Sequence, residues 1–65
     1  MKQPPALLSA TSDGIITFLI AGIEYTYQAD AGLFHQPTHN MWAFFNNIKK
    51  NGELISQRER RSAGK

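Results

Sequence analysis

Alternation of apolar and polar residues along the first half of the chain predicts three short strands. The alternation is strict in the third of them, where Tyr25 and Tyr27 fall on one face, as in a strand with one buried side. Turn-forming residues separate the strands at positions 11–14, with Gly14 suited to positive φ, and at positions 21–22. We therefore predict a β-meander whose strands are Ala6–Ala10, Ile15–Ile20 and Ile23–Gln28.

A helical period replaces this alternation after Pro37. Four apolar residues recur at spacings of three and four and fall within one stripe about 100° wide on a helix; they are Met41, Phe44, Phe45 and Ile48. Thr38 or Asn40 can cap the start of this helix, and Gly52 is placed to take a left-handed conformation after its end. The stripe is expected to cover one face of the sheet, and residues 53–57 to add a last short strand.

Length and composition allow one small domain. The chain has 65 residues and no cysteine, so neither a disulfide nor a thiolate zinc site can support its core. We predict an α+β fold over residues 1–57: a small antiparallel three- to four-stranded β-meander packed against one C-terminal α-helix. Residues 58–65 are expected to form a basic flexible tail. Leu33 and Phe34 are expected to form a short edge strand or a plug over the core.

The longest apolar run is too short to cross a membrane. It spans positions 15–23 and includes Thr17 and Gly22, whereas a membrane helix needs about 20 apolar residues. The first residues carry one charge and no apolar segment of the signal-peptide type. We expect a cytoplasmic protein without a membrane partner.

The second predicted strand is apolar on both sides. One set of its side chains is Ile16, Phe18 and Ile20, and the other is Ile15, Thr17 and Leu19. A single short helix covers one face of a sheet, so the other face needs a cover of its own. Either the segment around Leu33 or the N-terminal segment folds across it, or it binds a protein partner or a second copy in a homodimer. We take Ile16, Phe18 and Ile20 as the candidate interface, while the pattern leaves open which set is uncovered.

Positive charge is concentrated at the C-terminal end of the chain. Positions 1–48 hold one base and three acids, a net charge of −2, and positions 49–65 hold six bases and two acids, a net charge of +4. A basic terminal segment is typical of nucleic-acid binding and also of solubility. On the predicted helix Trp42 shares a side with two polar residues, so a base could stack there while lysines bind phosphates. The candidate nucleic-acid-binding residues are Trp42, Asn46, Lys49, Lys50, Arg58, Arg60 and Arg61. The alternative is that Trp42 packs on the rim of the core.

No motif for catalysis, a cofactor or a metal ion stands out. His35 and His39 have the spacing of two helical ligands, but Pro37 between them opposes a helix. The serines lack a nucleophile-elbow context, and the glycines form no phosphate-binding loop. We predict a protein that is not an enzyme and has no cofactor or metal.

Two segments resemble the KTSC domain. They are Tyr25-Thr26-Tyr27, following a short run of strands, and the Phe-x-x-x-Ile-basic segment at positions 44–49. The family is named for the C-terminal extension of some lysyl-tRNA synthetases and also occurs as free-standing bacterial and phage-type proteins of similar size. The resemblance spans residues 12–55 and implies RNA binding, which has been suggested for the family without a mechanism.

Two functional hypotheses follow. In the first, the protein is a module that binds RNA or single-stranded nucleic acid through the helix tryptophan and the basic segment. In the second, it is an interaction protein of the kind that phages and mobile elements use to inhibit or regulate a host complex, and it binds a host protein through the apolar second face of its sheet.

Overall fold

The protein is built from one antiparallel sheet with its helices on one side, in a computed structural model that describes residues 3–34 and 40–60. The elements in chain order are β1 (Ala6–Ala10), β2 (Ile15–Ile20), β3 (Ile23–Gln28), α1 (Ala31–Phe34), α2 (Met41–Asn51) and β4 (Glu53–Glu59). The strands lie in the order β1-β2-β3-β4, and each pairs antiparallel with the next. The predicted α+β class, the meander and the packed helix are confirmed.

Residues at positive φ make both tight turns of the meander. Gly14 has φ of +93°, and a Cβ there would collide with the backbone carbonyl of Ala29. Ala21 and Gly22, at φ of 51° and 82°, form the two-residue connection between β2 and β3. This connection pairs Ile20 with Ile23 and sets the register of the two central strands.

Helix α2 begins at a side-chain cap and ends at a close backbone approach. The Asn40 Oδ1 atom accepts hydrogen bonds from the backbone N–H groups of Trp42, at 2.9 Å, and Ala43, at 3.4 Å. Gly52 is extended, with φ of −125°, so its predicted left-handed conformation is wrong. A Cβ on Gly52 would lie 2.7 Å from the Ile48 carbonyl oxygen, so close packing explains the glycine.

The core lies between α2 and one face of the sheet, which we call the covered face. The Phe18 ring makes edge contacts with the rings of Phe44 and Phe45, with centroids 5.6 and 5.1 Å apart. Such perpendicular contacts add to the stabilisation that burial itself provides. The buried apolar residues are Ile16, Phe18, Tyr27, Ala29, Phe44, Phe45 and Ile48. The predicted helical stripe therefore faces the sheet.

Helix α1 and strand β4 complete the fold. Leu33 and Phe34 belong to the four-residue helix α1, where Leu33 packs against the core and Phe34 against Phe44, so they form the predicted plug and not the alternative edge strand. Strand β4 runs to Glu59, and the backbone N–H of Arg60 donates to the Gly22 carbonyl at 2.7 Å. Backbone pairing with β3 thus continues through residues 58–60, and the basic flexible tail stays a prediction. Its remaining part, 61–65, lies outside the described residues.

Candidate interaction face

The side of the sheet opposite α2, which we call the open face, presents three rows of side chains across the central strands. The rows follow from the strand pairing, because residues paired across an antiparallel sheet share a face. The upper row is Leu19, Glu24 and Arg58, the middle row is Thr17, Thr26 and Ser56, and the lower row is Ile15, Gln28 and Glu53. Both described helices contact the covered face, so neither packs on these rows.

Apolar side chains lie beside the polar middle row. Ile15 and Leu19 are half-buried. Leu8 and Ile55 are the extra residues of two β-bulges and are 41% and 52% exposed. A bulge breaks the alternation of faces, so these two residues add exposed apolar surface next to Ser9 and Ser56 of the middle of the sheet. The open face therefore combines apolar and hydrogen-bonding groups.

A small charge cluster occupies the upper end of the open face. The Arg60 Nε atom lies 3.4 Å from Glu24 Oε2, and the two side chains are 54% and 21% exposed. Arg58 pairs directly across from Glu24 on β4. Glu53 stands at the other end of β4. The face therefore carries two acids and two bases, with Glu24, Arg58 and Arg60 at the upper end and Glu53 at the lower end.

The middle row is held together by a hydroxyl pair. The Thr17 and Thr26 Oγ1 atoms are 3.1 Å apart and partly buried, and either hydroxyl can donate. Cross-strand threonine pairs of this kind support the pairing of neighbouring strands. One hydroxyl proton is used within the pair, and the accepting threonine keeps its own proton to donate to a contacting surface.

The predicted interface of Ile16, Phe18 and Ile20 is wrong, because these residues lie on the covered face. Ile16 and Phe18 are fully buried beneath α2, and Ile20 packs against the same core. The two-residue turn pairs this set with Tyr27, Tyr25 and Ile23, so α2 packs on the most apolar side of both central strands. The other set, Ile15, Thr17 and Leu19, is the one left without a helix.

The structure brings together part of the predicted nucleic-acid site. Trp42 makes an edge contact with the ring of Phe45, with centroids 6.2 Å apart, and the Lys49 Nζ lies 5.3 Å from the centroid of the same ring. Trp42 is half-buried and packs against the core, as expected of a rim residue. Asn46 and Lys50 are exposed on α2.

The predicted arginines are not part of that cluster. Arg58 and Arg60 lie on the open face beside Glu24, whereas α2 packs on the opposite face. Arg61 lies outside the described residues. Within 3–34 and 40–60 there are four bases and five acids, a net charge of −1. The positive net charge of the whole chain therefore comes from residues outside these ranges.

A modest groove lies between the end of β1 and helix α1. The groove, of about 210 Å³, is lined by Ala10, Thr11, Ser12, Ala31 and Phe34. Burial, together with neighbouring Tyr25, raises the pKa of the Tyr27 hydroxyl. Across residues 3–34 and 40–60 no group of three or more His, Asp or Glu side chains is placed to hold a metal ion. His35 and His39 lie outside those ranges.

Comparison with protein families, curated proteins and solved structures finds no match to this chain. The described part of the chain contains no helix that is long and apolar enough to span a membrane. The resemblance to the KTSC domain stays a hypothesis.

Sequence reasoning missed Glu53 as a member of the open face, and it missed the two bulges at which Leu8 and Ile55 are exposed. A β-bulge shifts alternation by one residue, and nothing in the two leucines of β1 or in Leu54-Ile55 marks where the shift occurs. A usable signal was present at Ala21-Gly22. A two-residue turn pairs the flanking residues, which places Ile20 on the face of Ile23, Tyr25 and Tyr27.

Proposed function

We propose that this protein is a non-enzymatic interaction module that binds a protein partner through its open face. The observation that carries the proposal is that Ile15 and Leu19 lie on the side of the sheet away from both described helices, with the exposed bulge residues Leu8 and Ile55 on the flanking strands. Apolar side chains grouped on one sheet face, and rimmed by polar residues, are characteristic of protein-binding surfaces.

The charges of the open face favour a protein over a nucleic acid. Glu24 and Glu53 stand on the same face as Arg58 and Arg60, so a phosphate backbone would meet as many acids as bases. A protein surface can match both signs at once, and such matching selects the partner and its orientation. A host complex regulated by a phage-type protein is one such partner.

Affinity capture from a host lysate, with and without nuclease, tests the proposal. Leu19→Lys places a charge on the open face, and the matched control Leu54→Lys places one on an exposed residue of the covered face. We expect a protein retained after nuclease treatment by the wild type and by Leu54→Lys, and lost with Leu19→Lys. Equal retention by both variants, or loss with nuclease, would argue against a protein-binding open face.

A second candidate function is binding of single-stranded RNA or DNA, favoured by the convergence of Trp42 and Lys49 on Phe45. Stacking of one base on an aromatic ring contributes roughly 1 to 3 kcal/mol. Fluorescence anisotropy with a single-stranded oligonucleotide at low salt tests this idea. Trp42→Phe should weaken binding with little change in salt dependence, whereas removal of residues 61–65 should reduce the salt slope. Absence of binding at low salt rules the candidate out.

A further inference from the structure

We propose that the open face binds the open face of a second copy, related by a two-fold axis that runs along the middle row. The inference rests on the proposed function, since it names the partner of the same face. A two-fold axis in this direction keeps each strand over its own counterpart and exchanges the upper and lower rows. The middle row of each copy then meets itself.

Because the axis exchanges the upper and lower rows, strands β2 and β4 each place complementary side chains opposite each other in the dimer. On β2, Leu19 of one copy lies over Ile15 of the second copy, so that apolar groups meet. On β4, Arg58 lies over Glu53 of the second copy, so that opposite charges meet twice in the dimer. Two sheets packed in this way keep their strands within about 30° of alignment and about 10 Å apart.

The alternative two-fold axis, parallel to the strands, gives a poorer match. It would keep the rows and exchange the strands, placing Leu19 over Glu24 of the second copy and Arg58 over Ala6. This axis forms no pair of opposite charges, whereas the axis along the middle row forms two and leaves Glu24 facing the neutral Gln28 of the second copy. The positions of Arg58 and Glu53 at opposite ends of β4 therefore select the axis along the middle row.

The size of the face indicates a dimer that dissociates on dilution. Four strands about 4.8 Å apart, with about six residues of 3.3 Å each, give a face of about 400 Å² in projection. Two such faces together bury about 800 Å² by this measure, below the roughly 1,200 to 2,000 Å² of stable interfaces. We expect association that is detectable at high protein concentration and sensitive to single charges.

Sedimentation velocity on the full chain, from about 10 μM to about 1 mM, measures this association. Two charge-reversal variants, Glu53→Arg and Arg58→Glu, each create two like-charged contacts in their own dimer and should weaken it by roughly tenfold or more. An equimolar mixture of the two variants restores opposite charges at both contacts. We expect the mixture to associate again with an affinity close to that of the wild type.

A second pair of variants tests the same axis and leaves Arg58 and its cross-strand partner Glu24 unchanged. Leu19→Lys introduces a base next to Glu24, and Ile15→Glu introduces an acid next to Gln28. Each variant alone should be monomeric, because a charge faces an apolar residue of the second copy. Their mixture should form a heterodimer. Circular dichroism of each variant, with Leu54→Lys as the control outside the face, separates loss of association from loss of fold.

A wild type that stays monomeric up to about 1 mM, or mixtures that associate no better than their components, would overturn the proposal. A monomeric wild type that still binds a different protein through Leu19 would overturn the second-copy inference and leave the proposed function standing. Wild-type dimers unaffected by all four open-face variants would place the self-contact elsewhere and overturn the second-copy inference, while the affinity capture with Leu19→Lys decides the proposed function separately.

Discussion

The two faces of the sheet come from the same strands and differ in what they present. On β2, Ile16 and Phe18 are fully buried beneath α2, while their neighbours Ile15 and Thr17 are only half-buried on the opposite side. The covered face continues in aromatic residues of β3, and the open face continues in Glu24, Thr26 and Gln28. One strand thus supplies the core with one set of residues and a mixed surface with the other.

The difference teaches that apolar residues in a small domain need not all serve its stability. Phe18, Phe44 and Phe45 form a set of perpendicular ring contacts that holds the helix to the sheet. Neither described helix covers Leu19 and Ile15, and Leu8 and Ile55 are still more exposed. The covered face accounts for the fold, and the open face is available for recognition.

Truncation of a covered-face ring should break the fold and gives the largest expected effect. Phe45→Ala removes contacts with Phe18, Tyr27 and Trp42 and should lower the free energy of unfolding by about 3 to 5 kcal/mol. That loss is comparable with the total stability of a domain of this size. Chemical denaturation measures it, with Ile15→Ala on the open face as the control. Equal losses in the two variants would contradict the assignment of the faces.

Loss of the helix cap should give an intermediate effect that is specific to the covered side. Asn40→Ala removes the side-chain acceptor for the N–H groups of Trp42 and Ala43 and should cost about 1 kcal/mol of unfolding free energy. The matched control is Asn46→Ala, an exposed position inside α2, where alanine favours the helix. A cap variant as stable as this control would show that Asn40 does not hold the start of the helix.

Removal of the open-face ion pair should have the smallest effect on folding. Glu24→Gln removes the charge that faces Arg60, whose side chain is about half exposed to solvent, so we expect a loss of about 0.2 to 1 kcal/mol. Added salt should reduce the difference between the variant and the wild type, because screening weakens exposed pairs. Thermal unfolding at low and high salt measures this. A large, salt-independent loss would place Glu24 among the residues that stabilise the core.

The fold was largely predictable from the sequence, and the candidate site was not. Strict alternation in β3 and the glycine-containing turns indicated the strands, and the spacing of Phe44, Phe45 and Ile48 indicated the covering face of α2. Both sets of side chains on β2 are apolar, so composition alone could not choose between them. The turn at Ala21-Gly22 decides which set faces the core, since it fixes the strand pairing that aligns Phe18 with Tyr25.

The positions of the charges in space could not be predicted from the order of residues along the chain either. Lys49 and Arg58 belong to one basic segment in the sequence, but α2 and the outward side of β4 lie on opposite faces of the sheet. The chain reverses direction between α2 and β4, and this turn separates Lys49 from Arg58 in space. A basic segment is therefore not one basic surface, because each strand residue alternates its face.

The most direct test of the two-face account is sedimentation velocity of the wild type beside Thr17→Lys. Thr17 lies at the centre of the open face, one residue from the fully buried Phe18. We predict a wild type that associates with rising concentration and a variant that stays a compact monomer throughout. A variant that associates like the wild type would contradict a binding role for the open face. A variant that sediments as an expanded chain would contradict the division of the sheet into a structural face and a binding face.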